Sequence, residues 1–247
     1  MFKNLSAAMV FALALCCCTS APDGQNKNQS QEQAQLLDAI RSQDLNTVRD
    51  LVAAGNVDLD PPTRPNEVNK SLAYASIYGN LEIVKYLLSK GVEIDGRIAY
   101  GGTALLRASE IEKNDVAEYL IRAGADVNVP NSFGISAMVG YAINCNTKMI
   151  DLALEYGGNI DQAHIMQVSS GNGQLAYNPI QWAIVKGNLD CVKHLVEKGA
   201  KTDVLSRDNE SLLDMANKQA NEDLINYVKI AAERGVMAIS AGRNAHQ

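Results

Sequence analysis

Histidine and cysteine, the residues most often used for metal binding and proton transfer, are few in this sequence of 247 residues. The three histidines are His164, His194 and His246, and no second histidine or cysteine stands at ligand spacing around His164. Asp161 lies near His164, which leaves a weak metal or acid–base site as an alternative. The sequence contains no Gly-rich phosphate loop and no nucleophile–base motif. We therefore predict no enzyme, no bound metal and no cofactor.

The N-terminus is similar to a bacterial export signal. Lys3 precedes an apolar core from Leu5 to Leu15, which is too short to span a bilayer but has the length of a signal core. This core runs into three consecutive cysteines and resembles a lipobox, in which a Leu at −3 and a small residue at −1 precede the lipidated cysteine. Cys18 fits that pattern best, Cys16 is the alternative, and an ordinary cleaved signal is the third interpretation. Residues 1–18 are thus predicted to be a lipoprotein-type signal.

Residues 19–29 (TSAPDGQNKNQ) have almost no apolar side chain and are predicted to form a disordered polar tether. The resemblance to lipoproteins implies a periplasmic protein that contacts the membrane through its lipid anchor only. Thr19 follows Cys18, in place of the Asp associated with inner-membrane retention, so the outer membrane is preferred.

Composition narrows the class of partner. The formal net charge is −6, and Lys and Arg occur singly or in isolated pairs. A nucleic-acid-binding protein needs a basic face to displace counterions, so we expect no nucleic-acid partner. The hydrophobic content of 47% is enough for one core or one extended array.

A 33-residue repeat organises the rest of the chain. The same position is filled by Ala39, Ala75, Ala108, Tyr141, Ala183 and Ala216. Apolar residues follow at helical spacing, and a glycine suited to a left-handed helix cap comes next. Each unit is therefore predicted to contain two antiparallel helices. The first helix of a unit begins after a capping side chain at Thr103, Ser136, Asn178 and Ser211, and Ser30-x-x-Gln33 is predicted to be a capping box.

The segments Gly101–Ala108 (GGTALLRA), Ala123–Asn128 (AGADVN) and Asn178–Ala183 (NPIQWA) resemble ankyrin repeats. The resemblance covers about residues 30–232 and implies an all-α solenoid of about six helix-turn-helix units with connecting hairpin-like loops. Tyr141, where the family has a small residue, is a departure that puts the register of the fourth unit in question. Residues 233–247 lose the pattern and are expected to form a loosely ordered tail.

Ankyrin arrays bind other proteins through their loop tips and the exposed face of each first helix, which together form a concave surface. The resemblance places the following residues on that surface: Tyr78, Tyr100, Ile111, Phe133, Ile135, Asn144, Tyr177 and Lys186. The four aromatic residues among them are expected to gather in the middle of the array, as in an interface hot spot. The alternative for each is that it packs against its neighbouring loop.

The fourth and fifth units are separated by nine extra residues. They lengthen one loop at Ala163–Gly173 and place Ile165 and Met166 where solvent is expected. Because insertions in repeat proteins often lie on the binding face, we predict that this segment forms a second partner contact.

The remaining cysteines occupy different repeat positions. Cys191 falls on an inward-facing helix position and is predicted to be a small buried hydrophobe. Cys145 falls in an inter-helix turn, and a disulfide with Cys191 is the alternative in an oxidising compartment. His194 stands at a packing position and is expected to be structural.

These features favour a protein-binding scaffold of the bacterial envelope that is a monomer by itself. Bacterial ankyrin lipoproteins include immunity proteins that hold a secreted antibacterial toxin, such as a phospholipase, inactive. An envelope or stress-related scaffold for an endogenous periplasmic protein is the alternative. An effector exported to a host cell is less favoured, since a lipid anchor keeps a protein on its own envelope.

Overall fold

A computed structural model describes residues 27–61, 70–78, 80–163, 165–166, 174–175, 177–206 and 208–244. Within these ranges the chain forms twelve α-helices in six consecutive pairs. The first helices are α1 (Lys27–Arg41), α3 (Ser71–Tyr78), α5 (Ala104–Glu110), α7 (Ala137–Asn144), α9 (Pro179–Val185) and α11 (Leu212–Asn217). The second helices are α2 (Leu45–Ala54), α4 (Leu81–Ser89), α6 (Asn114–Arg122), α8 (Thr147–Glu155), α10 (Leu189–Glu197) and α12 (Glu222–Asn244). The predicted all-α solenoid of six helix pairs is confirmed.

The helices form two layers. The first helices pack on one another in chain order, and the second helices form the other layer. Residues such as Leu105, Leu120 and Met149 are completely buried in a core that runs through the array. A single helix pair cannot bury its apolar face alone, so each unit is stabilised by its neighbours.

Side-chain caps fix where the helices begin. Thr103, Ser136, Asn178 and Ser211 each accept a hydrogen bond from the backbone N–H three residues later, as predicted. Asn178 and Gln181 form a complete capping box. The array also has a set of caps that the sequence pattern did not single out, at the second helices: Asp44, Asn80, Asn146 and Asn188.

Tyr141 occupies the position predicted for it, because it is the fifth residue of α7 just as Ala108 is the fifth residue of α5. Its side chain is 1% exposed. The neighbouring Gly140 lies close to the preceding unit, since a Cβ there would be 2.8 Å from Ser109 Oγ. The register of the fourth unit is therefore regular despite the large side chain.

Both ends of the array differ from expectation. Helix α1 begins at Lys27, so the predicted capping box at Ser30 is wrong and the last three residues assigned to the tether are helical. Helix α12 continues to Asn244, where a loose tail was expected beyond residue 232. Residues 233–244 contain no proline, and extending an existing helix costs much less than nucleating one.

The inserted segment contains a short β-hairpin. Strand β1 (Ile165–Met166) pairs antiparallel with β2 (Gln174–Leu175), so that Ile165 lies opposite Leu175. The side chains of Ile165 and Met166 lie outside the described part, as does His164.

The predicted signal falls on residues that the structure does not describe, and this includes both candidate lipidation sites, Cys18 and Cys16. Among the described helices, none combines the length and the apolar character needed to cross a bilayer.

Candidate partner-binding surface

The predicted contact residues lie in two rows along the layer of first helices. The loop-tip row contains Tyr100 and Phe133, which precede α5 and α7 at equivalent repeat positions. The helix-end row occupies equivalent positions at the C-terminal ends of four first helices and consists of Tyr78, Ile111, Asn144 and Lys186. Helices of seven or eight residues, about 10–12 Å long, lie between the two rows. We call this layer, with its tips, the first-helix face.

Tyr100 and Phe133 form an exposed aromatic pair on adjacent tips, which we call the tip pair. Their ring centroids are 5.9 Å apart, and the rings are tilted by 33°. Tyr100 is 44% exposed and Phe133 is 54% exposed, although both are large apolar side chains. Clustered exposed aromatic groups are typical of protein interfaces, where they supply much of the binding energy.

Main-chain and side-chain bonds hold the two tips together. The Ser132 N–H donates to the Tyr100 carbonyl at 2.7 Å. Arg97 spans the same gap, with Nη1 donating to the carbonyls of Gly101 at 3.2 Å and Pro130 at 3.0 Å. The rings of the tip pair are therefore carried on tips whose relative position is fixed before any partner arrives.

The tip that carries Phe133 is closed by Asn131. The Asn131 N–H donates to the Ile135 carbonyl at 2.9 Å. Its side-chain oxygen accepts from the N–H groups of Phe133 at 2.9 Å and Ile135 at 3.0 Å. Such a preformed loop loses little conformational entropy on binding. Ile135 itself is half-buried, and its main-chain groups close this tip.

Tyr100 has a left-handed backbone, with φ 58° and ψ 19°. This region costs a non-glycine residue roughly 1 kcal/mol. The surrounding turn holds it there, since the Ile98 N–H donates to the Gly102 carbonyl at 2.8 Å and the Gly101 N–H donates to the Ile98 carbonyl at 2.9 Å. Strained backbone conformations often occur at functional sites, and the strained residue here, Tyr100, belongs to the tip pair.

A partly buried ion pair lies on α5 between the two rows. Arg107 Nη1 and Glu110 Oε2 are 2.5 Å apart, and both side chains are less than one-fifth exposed. Burial raises the pKa of Glu110, and the arginine opposes that shift. The guanidinium lies so close to Gly102 that a Cβ there would be 2.9 Å from Nη2. Sequence reasoning missed Arg107, although an Arg–Glu pair three residues apart on a helix was a usable signal.

Of the four aromatic residues expected to gather, Tyr100 and Phe133 form a ring pair with each other, and the gathering of all four stays a prediction. Tyr78 pairs with Tyr74 of its own helix at 4.7 Å, and Arg41 of the first unit lies 5.7 Å from both ring centroids. Tyr177 meets the Trp182 ring edge-to-face at 5.7 Å, beyond the inserted hairpin.

The rest of the helix-end row is mixed in character. Asn144 is exposed, and its Nδ2 donates to the Ser109 carbonyl at 3.3 Å, which links α7 to α5. Ile111 is half-buried at the end of α5, and Lys186 is exposed at the end of α9. The exposed members of this row, Asn144 and Lys186, are polar, while both side chains of the tip pair are large, exposed and apolar.

His194 lies in the other layer, at the junction of the fourth and fifth units. Its Nε2 is 2.8 Å from Asp151 Oδ1, and Lys198 Nζ is also 2.8 Å from that oxygen. Burial alone would raise the pKa of Asp151, but the bonds from Lys198 and His194 outweigh it and lower the pKa. These groups connect α8 to α10. Within the described ranges, no three His, Cys, Asp or Glu side chains converge as metal ligands.

The family pattern "Ankyrin repeats (3 copies)" matches residues 36–131 and 105–208. This chain belongs to the ankyrin-repeat family. It is 27% identical over 225 residues to the palmitoyltransferase AKR1 of Lachancea kluyveri, which covers 73% of this chain and 30% of that protein. It is 28% identical over 186 residues to the ankyrin repeat protein nuc-2 of Neurospora crassa, covering 74% of this chain and 16% of that protein. The chain thus spans less than a third of either relative.

A solved structure matches a larger share of this chain than either of these two relatives does. It is a complex of a predatory endopeptidase from Bdellovibrio bacteriovorus with its immunity protein. The match has 28% sequence identity and a TM-score of 0.66, and it covers 78% of this chain and 96% of that chain.

Proposed function

We propose that this ankyrin protein is a non-catalytic scaffold that binds another protein through its first-helix face. The tip pair carries the proposal, because two large aromatic side chains are exposed side by side on tips that hydrogen bonds hold in place. Aromatic groups of this kind anchor interfaces with little loss of side-chain entropy. The inserted hairpin between the fourth and fifth units supplies a second contact.

The physiological role that we propose is immunity against a secreted antibacterial enzyme. Support comes from the solved relative, an immunity protein that is in complex with an endopeptidase. A hydrolase, either a peptidase or a phospholipase, is the proposed class of partner, and binding would hold it inactive. Fold alone does not determine function, so the identity of the captured protein decides this point.

Export and lipidation at Cys18 complete the proposal and place the scaffold at the periplasmic side of the membrane, preferably the outer one. The apolar core and the cysteine run of the N-terminus support it. Processing in cells should be sensitive to globomycin and blocked in Cys18→Ala. Normal processing and membrane association of that variant would exclude lipidation at this residue.

The binding proposal is tested by capture from an envelope fraction, followed by mass spectrometry and calorimetry with the captured protein. The double variant Tyr100→Ser/Phe133→Ser should weaken binding at least about 100-fold, because it removes both aromatic anchors. Its circular dichroism should be unchanged, since both side chains are exposed. Tyr156→Ser is the matched control, because Tyr156 is 41% exposed at the end of α8, in the other layer.

Wild-type affinity in the double variant would exclude the tip pair as the anchor. Inhibition of a captured hydrolase would support immunity. Capture of an endogenous periplasmic protein with no toxic activity would instead favour the envelope scaffold.

A further inference from the structure

The two cysteines of the described part come together at the junction of the fourth and fifth units. Cys145 lies in the turn between α7 and α8, and Cys191 lies in α10 of the next unit. Cys191 is buried and Cys145 is half-buried. Sequence reasoning left this pair open because the two residues occupy different positions in their repeats.

Both residues bond to one carbonyl group. The Cys145 N–H donates to the Ala142 carbonyl at 3.3 Å, and the Cys191 thiol donates to the same oxygen at 3.4 Å. Burial raises the pKa of the Cys191 thiol, and the neighbouring Cys145 raises it further. The thiol of Cys191 therefore lies against the turn that carries Cys145.

Cysteine is not the residue that this turn favours. The equivalent turn residues share a left-handed backbone and are Gln43 (φ 61°), Glu112 (φ 58°), Gly187 (φ 69°) and Ala220 (φ 52°). Cys145 has φ 54°, and glycine would carry this conformation without strain. The position equivalent to Cys191 is apolar in four of the other five units, as Ile83, Val116, Met149 and Leu224, and it is Thr47 in the first unit. This junction thus combines two cysteines that repeat geometry alone does not require.

In the layer of second helices, the same junction is where the array is least continuous. The inserted hairpin separates the fourth and fifth units in sequence. The contact between α8 and α10 is smaller than that between any other neighbouring pair of second helices. A covalent link would have its largest effect here, because units in a repeat array are coupled only through their neighbours.

We propose that Cys145 and Cys191 form a disulfide that locks the fourth unit to the fifth. The thiolate of Cys145, the more accessible group, attacks a small-molecule disulfide such as oxidised glutathione and releases one glutathione thiolate. Cys191 then loses its proton to solvent and attacks Cys145 Sγ, which releases the second glutathione. Two protein thiols are oxidised and one disulfide is reduced to two thiols. This step is independent of the proposed partner.

The first test maps the bond in the full-length protein. The protein is equilibrated with oxidised glutathione, its remaining thiols are blocked with N-ethylmaleimide, and a non-reducing digest is analysed by mass spectrometry. A peptide pair joined through Cys145 and Cys191 is the expected main product. Glutathione left on Cys145, bonds from either residue to the cysteines at positions 16–18, or two unreacted thiols would each overturn the proposal.

The second test measures the effect of the bond on stability. The oxidised protein should melt about 5–10 °C above the reduced protein, because the link restricts the unfolded chain. In Cys145→Gly this difference should vanish, while the reduced variant stays folded because glycine suits the turn. Cys191→Ala should also lose the difference. The same redox-dependent shift in Cys145→Gly would show that another bond causes it.

Discussion

Tyr141 shows how one residue can depart from a repeat without breaking it. Five of the six units have alanine at this position, and the tyrosine is nevertheless 1% exposed. The sequence identified the departure but did not show that the ring is buried, since burial depends on how neighbouring units pack. Among the described residues, nothing bonds to the buried Tyr141 hydroxyl.

Tyr141→Phe should therefore stabilise the protein. It removes a buried hydroxyl without a partner and keeps the volume of the ring, so the free energy of unfolding should rise by about 1 kcal/mol. Urea denaturation of the two proteins measures the difference. Tyr141→Ala is the contrasting variant, and it should lower stability by several kcal/mol because it leaves a cavity. A loss of stability in Tyr141→Phe would show that the hydroxyl has a partner.

The pH dependence of the free energy of unfolding gives an independent test of the burial of Tyr141. Burial raises the pKa of Tyr141 above its ordinary value of 10.0. Above pH 10 the unfolded chain loses this proton more readily than the folded one, so stability falls as pH rises. The fall should be shallower in Tyr141→Phe, but it should not vanish, because burial also raises the pKa of Tyr74, to about 12. Equal slopes of stability against pH in the wild type and in Tyr141→Phe would contradict the burial of Tyr141.

At the scale of elements, the sequence located the inserted segment but did not predict its secondary structure. The interval from Tyr141 to Ala183 showed that one loop is longer than the others. Its strand pairing, with Ile165 opposite Leu175, became visible only in the structure. Two-residue strands leave almost no alternating pattern in a sequence, so the hairpin could not be predicted from periodicity.

Deleting residues 165–173 should separate binding from stability. The deletion restores the 33-residue spacing of the other units and leaves Asp161, whose side chain accepts from the Lys201 N–H at 2.8 Å, in place. Partner affinity should fall at least about 10-fold, while the melting temperature changes by only a few degrees. Calorimetry with the captured partner and thermal unfolding measure the two effects. Unchanged affinity with a large loss of stability would assign the hairpin a structural role.

At the scale of the whole molecule, the array is stabilised by the contacts at each junction between neighbouring units. The junction of the fourth and fifth units depends strongly on polar groups, because Asp151 accepts from both His194 and Lys198. The sequence predicted a structural role for His194, and its bond to Asp151 agrees with that role. It could not name Asp151 as the partner, since the two residues belong to different units.

Asp151→Ala should loosen this junction in the reduced protein. The single tryptophan, Trp182, lies in the fifth unit, so its fluorescence follows that unit while far-ultraviolet circular dichroism follows all helices. The two urea transitions should coincide in the wild type and separate in the variant, because weaker coupling lets parts of an array unfold independently. Asp190→Ala, at an exposed position on α10, is the control. Coincident transitions in Asp151→Ala would show that this carboxylate adds little coupling.

The sequence by itself determined the period, the helix pairs and the caps at residues such as Thr103 and Ser136. These features are local, because a cap or an apolar stripe is completed within a turn or two of the same helix. Only the tertiary structure decided which groups meet: Tyr100 pairs with Phe133, and the buried Cys191 thiol lies against the turn that carries Cys145. Those contacts join residues at least one repeat apart, so they depend on how successive units stack, which periodicity alone does not specify.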